Sequence, residues 1–218
     1  MRKKTFAAAA LLAAATLTLS ACGNGNDADE SPVAVVSGGS DSNKPATVLD
    51  QPFDKPALVL TDTHGKKYDL RKETKGHPTL VYFGYTHCPD ICPATMSNIA
   101  VAKKSLPKAE RDDLKVVFVT TDPGRDTPAE LGKWLKGIDP EFIGLTGDFA
   151  KVQAGARSLG IAVEPTKKDE NGKLVSMHGT QVVAFSPKTD AGYVLYGESA
   201  TADDYAKDLP KLVEGANP

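Results

Sequence analysis

A run of apolar residues that ends in a pair of cysteines constrains this chain more than any other feature. Leu80–Tyr85 has no alternating polar face, which predicts a central strand covered on both sides, as in mixed α/β sheets. Cys88 and Cys92 follow at once, and a helix is predicted from about 91 to 106. Two thiols therefore lie where a buried strand ends and a helix begins. Free backbone N–H groups and the helix dipole favour an anion at such a place, and a thiolate is an anion.

The charge and the cysteine content exclude several classes of protein. The formal net charge is −2, and no cluster of basic and aromatic residues indicates a nucleic-acid partner. Three cysteines are too few for a disulfide scaffold. Because Cys22 belongs to a targeting signal, one pair is left for the folded domain. A disulfide that closes so short a loop removes little chain entropy, so the pair is of little use as a staple.

The first residues have the pattern of a bacterial lipoprotein signal. A basic start, Met1–Lys4, precedes an apolar stretch, Phe6–Leu17, and the sequence Leu-Ser-Ala-Cys at 19–22 resembles a lipobox. We expect residues 1–21 to be a signal peptide and Cys22 to be lipidated, which anchors the protein to the extracytoplasmic face of the cell membrane. The apolar stretch is short for a membrane-spanning helix. The alternative is an ordinary secretory peptide, with Cys22 as a free thiol.

The remainder divides into a tether and one domain. Residues 22–48 are rich in Gly, Asn, Asp and Ser and predict a flexible tether, and residues 49–218 are expected to fold. Strands are predicted at 58–62, 67–70, 80–85, 114–120, 142–145, 161–163, 181–185 and 193–196. Helices are predicted at 91–106, 129–136, 148–159 and 202–212, the second of them capped by Thr127.

This order of elements predicts an α/β protein with the thioredoxin-like fold. A βαβ unit is followed by a helix and a strand, then by a β-hairpin and a closing helix. We expect a central mixed sheet flanked by helices, with an N-terminal β-hairpin. The polar stretch Lys167–Lys173 adds a hairpin insertion before the loop that carries His178.

The spacing of Cys88 and Cys92 allows two kinds of chemistry. Four residues apart on a helical turn, they share one face, with Cβ atoms roughly 5–6 Å apart. That separation suits a disulfide, and it also suits two thiolates that converge on a metal ion. The motif is one residue longer than the usual redox Cys-x-x-Cys, which favours a loop that opens around a metal. Thiolates select Cu(I), zinc or iron–sulfur, and a closed zinc site would need four ligands that the chain does not supply at matching spacing.

Four histidines are candidates for a third ligand. His87 adjoins Cys88, but neighbours on an extended segment usually point apart. His64 lies in a predicted hairpin turn and His77 precedes the far end of the central strand, so both are expected to be solvated. His178 differs, because it lies in a loop before the 181–185 strand that packs against the cysteine turn in a thioredoxin-like fold.

Three motifs together resemble the Sco/SenC family: Tyr85–Pro93, Asp122–Pro128 and Met177–Thr180. The resemblance covers about residues 56–211. The family comprises membrane-anchored copper chaperones of the thioredoxin fold, which deliver copper or reducing equivalents to the binuclear copper site of cytochrome c oxidase subunit II. The resemblance implies that Cys88, Cys92 and His178 bind one copper ion, Cu(I) or Cu(II), and that an upstream donor supplies it.

Asp122 and Arg125 follow the 114–120 strand, at the same edge as the cysteine turn. Asp122 could orient a ligand or contact a partner, and Arg125 could stabilise an anion or dock a carboxylate. The alternative is loop structure, with Asp122 starting a turn and Arg125–Asp126 forming a surface pair. Both interpretations stay open, and neither residue is predicted to be a metal ligand.

Two functions compete at this stage. The preferred one is a metallochaperone, which is not an enzyme. The alternative is a thiol–disulfide oxidoreductase that keeps the oxidase copper-site cysteines reduced, with Cys88 attacking and Cys92 resolving. Against it, thioredoxin-type enzymes place a proline before the strand that faces the site, and this chain has Met177–Thr180 there. A peroxidase is disfavoured, because His87 and Asp90 flank a pair of thiols instead of an activated single one.

Overall fold

The computed structural model describes residues 44–170 and 172–218. The predicted signal peptide, Cys22, residues 23–43 of the predicted tether and Asn171 lie outside the described residues. Among the described residues, no helix is both long enough and apolar enough to cross a membrane.

The described chain forms ten strands and six helices. The strands are β1 (Ala46–Asp54), β2 (Val59–Asp62), β3 (Lys67–Asp69), β4 (Thr79–Gly84), β5 (Lys115–Thr120), β6 (Ile143–Thr146), β7 (Lys167–Lys168), β8 (Leu174–Val175), β9 (Val182–Phe185) and β10 (Ala191–Tyr196). The helices are α1 (Leu70–Glu73), α2 (Ile91–Ser105), α3 (Lys108–Asp113), α4 (Pro128–Lys136), α5 (Phe149–Arg157) and α6 (Ala202–Val213).

One mixed sheet organises the domain. Its strand order is β1-β10-β9-β4-β5-β6-β2-β3, with β4 parallel to β5 and antiparallel to β9. The β2–β3 hairpin and the separate β7–β8 hairpin lie where the sequence predicted the N-terminal hairpin and the insertion. The predicted α/β architecture with a central mixed sheet is therefore confirmed.

The central strand β4 is buried along its whole length. Leu80 and Tyr82 pack into one hydrophobic cluster, whereas Val81 and Phe83 pack into another. Alternate side chains of a strand point to opposite faces of the sheet, so each face of β4 contributes to its own core. This two-sided burial explains why the sequence of β4 has no polar alternation.

The largest difference from the sequence analysis is β1. It pairs with β10 at the edge of the sheet and begins at Ala46, inside the segment 22–48 that was predicted to be tether. Most of its side chains are exposed, and only Ala46, Leu49 and Phe53 are half-buried. An edge strand that buries so few residues lacks the alternating pattern from which strands are predicted.

Smaller differences lie in short elements. Leu70 was predicted to end a strand but begins α1, because the Asp69 side chain accepts a hydrogen bond from the Lys72 N–H and caps a helical turn. Helix α3 was not predicted. The predicted strand at 161–163 is reduced to one isolated bridge between Val163 and His178.

The start of α4 agrees with the sequence. The Thr127 side chain accepts a hydrogen bond from the Glu130 N–H, and a proline occupies the first turn. The cap fixes where the loop after β5 must end. That loop, residues 121–127, lies beside the cysteine turn because β4 and β5 are parallel and finish at the same edge of the sheet.

Candidate metal centre

Cys88, Cys92 and His178 lie together at the carboxyl end of β4. Their ligand atoms, the two Sγ atoms and an imidazole nitrogen, all lie within 4.8 Å of one another. The sheet explains the meeting of such distant residues. β9 runs antiparallel to β4 and Val182 pairs with Tyr82, so the segment just before β9 reaches the edge where β4 ends.

The two cysteines occupy a turn and the first turn of α2. The Cys88 N–H donates to the Tyr85 carbonyl at 3.2 Å, which closes the turn after β4. The Cys92 N–H, near the start of α2, points at Cys88 Sγ at 3.4 Å. The predicted place of a sulfur at a helix N-terminus is thereby confirmed, since a free backbone donor faces it. Cys88 is half-buried and Cys92 is completely buried.

The surroundings of Cys92 keep its thiol protonated. Burial raises the pKa of the Cys92 thiol to about 12. The Tyr82 hydroxyl donates to Cys92 Sγ at 3.5 Å and offsets part of that effect. Burial also raises the pKa of Tyr82, so its hydroxyl remains a donor. A metal ion that binds Cys92 must therefore displace a proton.

Gly84 leaves the space that Cys92 fills. A Cβ at Gly84 would lie 2.8 Å from Cys92 Sγ and 3.1 Å from the Phe118 ring. The distance to the sulfur is shorter than real contacts allow and the distance to the ring is tight, so any larger residue would displace the thiol and press on the ring. A glycine at the last position of β4 is thus required for the Cys92 thiol to occupy its place in the site.

His178 presents one ring nitrogen to the sulfurs. Its Nε2 lies 3.5 Å from Cys92 Sγ, whereas its Nδ1 lies 2.9 Å from the Gly179 carbonyl. A carbonyl can only accept, so Nδ1 carries the proton and the lone pair of Nε2 faces the thiols. Burial lowers the pKa of His178, which keeps the imidazole neutral near pH 7 and able to bind a metal.

The backbone around His178 is bonded to the segment that contains Ala162 and Val163. Val163 forms its isolated bridge with His178, and the Gly179 N–H donates to the Ala162 carbonyl at 2.8 Å. A Cβ at Gly179 would lie 2.6 Å from Ile161 Cγ2, so the close approach of these two segments requires a glycine. The ring of Tyr85 packs edge-on against the imidazole at 5.3 Å between centroids.

The other histidines lie outside this cluster. The His64 side chain is exposed, and His77 Nδ1 lies 2.5 Å from Asp113 Oδ1. His87 is half-exposed and contacts Thr86 Oγ1 at 3.1 Å instead of the sulfurs. These positions agree with the expectation that none of the three histidines lies with the two cysteine sulfurs.

The loop after β5 differs from the surface pair that the sequence offered as an alternative. Arg125 Nε contacts Asp122 Oδ2, and Asp126 is completely buried. Pairing of Arg125 with Asp126 on the surface is therefore wrong. Asp122 is also buried, and neither Asp122 nor Arg125 belongs to the three-residue cluster.

Sequence reasoning missed Asp126. Its carboxylate accepts hydrogen bonds from the Thr86 N–H at 2.9 Å and from the Thr86 hydroxyl at 2.6 Å. Thr86 lies two residues before Cys88, so the loop after β5 is bonded directly to the cysteine turn. The clue in the sequence is weak, since an acidic residue beside an arginine reads as a solvated pair.

The difference in burial between the two cysteines predicts unequal reactivity. In the reduced protein at pH 8, we expect iodoacetamide to alkylate Cys88 at least about a hundredfold faster than Cys92, because Cys92 is inaccessible and its thiolate is scarce. Peptide mass spectrometry over time measures both rates. Protein unfolded in urea is the control and should label both residues alike. Equal rates in the folded protein would contradict the described burial.

The comparison with known families agrees with the site. The SCO1/SenC family model matches residues 45–214. A curated relative, a putative copper-binding protein of Stutzerimonas stutzeri, is 36% identical over 124 residues, which is 57% of this chain and 60% of the relative. The chain spans about half the length of the curated relatives that it matches, from 40% to 60%.

Solved structures show the same fold. The copper-bound structure of Bradyrhizobium japonicum ScoI is 30% identical, has a TM-score of 0.62, and the match covers 74% of this chain and 98% of that chain. A SCO1/SenC family lipoprotein from Bacillus anthracis is 25% identical with a TM-score of 0.62, over 75% of this chain and 98% of that chain. The predicted thioredoxin-like fold is confirmed. With a family match over most of its length, this chain belongs to the SCO1/SenC family.

Proposed function

We propose that this protein is a copper metallochaperone that binds one copper ion through Cys88, Cys92 and His178. The observation that carries the proposal is the meeting of two thiols and one neutral imidazole within 4.8 Å, with the imidazole lone pair directed at the sulfurs. Thiolates and imidazole together suit copper. The copper in the Bradyrhizobium structure and the copper-binding relative support copper as the cargo.

The unequal burial of the ligands suits delivery as well as binding. Cys92 is buried and His178 is mostly covered, so the ion would be shielded from water on that side. Cys88 is only half-buried, so part of its side chain reaches the surface of the turn. An acceptor thiolate or imidazole can therefore approach from the side of Cys88 and replace that ligand first. A chaperone needs such an open side, because its cargo must leave.

The proposed acceptor is the binuclear copper site of cytochrome c oxidase subunit II, and an upstream donor supplies the copper. The proposed place is the extracytoplasmic face of the cell membrane, where Cys22 would carry the lipid. Membership of the SCO1/SenC family and the lipoprotein relative from Bacillus anthracis support these assignments. The lipobox sequence at 19–22 supports the anchor independently.

A second candidate is a thiol–disulfide oxidoreductase. It is favoured by the two free thiols of the same turn, of which Cys88 is accessible and Cys92 is shielded. This is the arrangement of an attacking and a resolving thiol. The high pKa of Cys92 weighs against rapid resolution, because the thiolate is the nucleophile.

The His178→Ala variant distinguishes the two functions. We expect wild-type reduced protein to bind one copper per chain and the variant to bind Cu(II) about a hundredfold or more weaker, because it loses one of three ligands. Competition with a chromophoric chelator measures the affinity. The disulfide between Cys88 and Cys92 should still form in the variant, since neither thiol is changed.

The matched control is His64→Ala, which removes an exposed histidine that lies outside the cluster of proposed ligands. Copper affinity should then stay within a few-fold of wild type. Unchanged affinity in His178→Ala would contradict the metal site. Reduction of an oxidised target peptide, with copper chelated and at undiminished rate in His178→Ala, would favour the oxidoreductase.

Cells that lack this protein test the acceptor. Under copper limitation, we expect oxidase subunit II to contain less copper, and the wild-type gene but not His178→Ala to restore it. Metal analysis of purified oxidase measures the effect. Full copper occupancy of the oxidase without this protein would contradict the acceptor.

The Cys22→Ser variant tests the anchor. Palmitate labelling of the protein in membranes should be lost in this variant, because the thiol that would carry the lipid is removed. Labelling that persists in Cys22→Ser would contradict the anchor.

A further inference from the structure

The loop after β5, residues 121–127, is bonded to both segments that carry the proposed ligands. On one side it contacts Thr86, which precedes Cys88 by two residues. On the other side it contacts Ser176, which precedes His178 by two residues. The two segments are far apart in the sequence, and this loop joins both of them through side-chain hydrogen bonds.

The contact with the cysteine turn is made by Asp126. Its buried carboxylate accepts from the Thr86 N–H at 2.9 Å, the Thr86 hydroxyl at 2.6 Å and the Thr120 hydroxyl at 2.5 Å. His87 Nδ1 lies 3.6 Å away and is half-exposed. A carboxylate is costly to bury unless its oxygens are satisfied, so these bonds fix its position closely. Through Thr86 they also fix the residue at which β4 turns toward Cys88.

The contact with the histidine segment is made by Thr121. The Thr121 hydroxyl lies 3.1 Å from the Ser176 hydroxyl, and both groups are buried. The Thr121 N–H donates to the Gly84 carbonyl at 2.7 Å, which holds Thr121 itself at the end of β4. The ladder between β9 and β4 ends at Val182, so it does not reach Ser176. The segment before β9 is therefore held by its backbone bridge to Val163 on one side and by the hydroxyl contact with Thr121 on the other.

We infer that Asp126 and Thr121 are positioning residues that set the distance between the cysteine turn and His178. Asp126 acts on Cys88 through Thr86, and Thr121 acts on His178 through Ser176. Neither residue touches the metal ion. The inference rests on the proposed function, because the geometry that these residues set is that of a copper site.

Two substitutions separate the two contacts. Thr121→Val keeps the size of the side chain and removes the hydroxyl. The hydroxyl also lies 3.3 Å from the Gly84 carbonyl, but the Thr121 N–H still donates to that carbonyl at 2.7 Å in the variant, so the end of β4 stays bonded. We expect copper affinity to fall about tenfold, at the lower end of the effect of residues that orient ligands, while the midpoint potential of the Cys88–Cys92 disulfide stays at the wild-type value. Asp126→Asn replaces a carboxylate, whose two oxygens both accept hydrogen bonds, with an amide, whose oxygen accepts and whose NH₂ group donates. It should lower copper affinity by about tenfold or more and also shift the disulfide potential.

The experiment uses the full-length protein purified in detergent. Copper affinity is measured by chelator competition, the disulfide potential by titration with thiol buffers, and the ligand arrangement by the thiolate-to-Cu(II) charge-transfer absorption. A double variant, Thr121→Val with Ser176→Ala, should bind copper only slightly more weakly than Thr121→Val alone. Both changes break the same contact between hydroxyls, and Ser176→Ala additionally removes only the long 3.5 Å approach of the Ser176 hydroxyl to the Thr121 carbonyl. If Asp126→Asn does not fold, Thr86→Val removes one of the three bonds to Asp126 and should shift the potential in the same direction by less.

Asp208→Asn is the matched control. Asp208, on α6, is also a buried carboxylate. It accepts from the Tyr196 hydroxyl of β10 at 3.2 Å, outside the metal centre. We expect its affinity, potential and absorption to match wild type, whatever its stability. Loss of stability without any change of affinity, potential or absorption in the Asp126 and Thr121 variants would overturn the inference. If wild-type protein bound no copper, the proposed function would fail, and an unshifted potential in Asp126→Asn would then overturn the inference separately.

Discussion

The pairing of β9 with β4 is the constraint on which the rest of the site depends. Because these strands are antiparallel, the chain enters β9 at the edge where β4 leaves the sheet. At that edge His178 meets Cys92, which lies 86 residues earlier, with 3.5 Å between the imidazole Nε2 and the Cys92 Sγ. The parallel pairing of β5 with β4 adds the loop after β5 to the same edge. One sheet edge thus collects three loops that are distant in sequence.

The chemistry at this edge depends on how unevenly water reaches it. Burial keeps Cys92 protonated and His178 neutral, so the free protein holds a thiol and an uncharged imidazole in an apolar setting. Replacing a proton with a soft cation removes the reason for that high pKa, because the thiolate gains a partner. Cys88 stays accessible on the other side. This unequal access fits the proposed role, in which a metal ion is bound and then passed to a competing ligand.

The elements that the sequence predicts well are those whose burial shows as a pattern of apolar residues within one short segment. β4 is buried on both faces, so its residues form a continuous apolar run that no surface strand shows. The N-cap Thr127 is equally local. The position of His178 could be predicted because a glycine-containing loop before a strand has a fixed place in the thioredoxin-like fold, and because three motifs resemble one family.

What the sequence did not predict depends on distant partners or on weak burial. β1 is an edge strand with mostly exposed side chains, so it resembles the tether that precedes it. Asp126 finds its donors on Thr86, 40 residues away, and an Asp next to an Arg has the same local pattern whether it is buried or solvated. The lipid on Cys22 stays a prediction, because that residue lies outside the described part of the chain.

X-ray absorption spectroscopy of the copper-loaded protein tests the central claim most directly, since it counts the atoms bound to the metal. The account predicts two sulfur ligands and one imidazole nitrogen per copper, with one sulfur fewer in Cys92→Ser and the imidazole signal lost in His178→Ala. A spectrum with only nitrogen and oxygen ligands, or one unchanged in these variants, would contradict it.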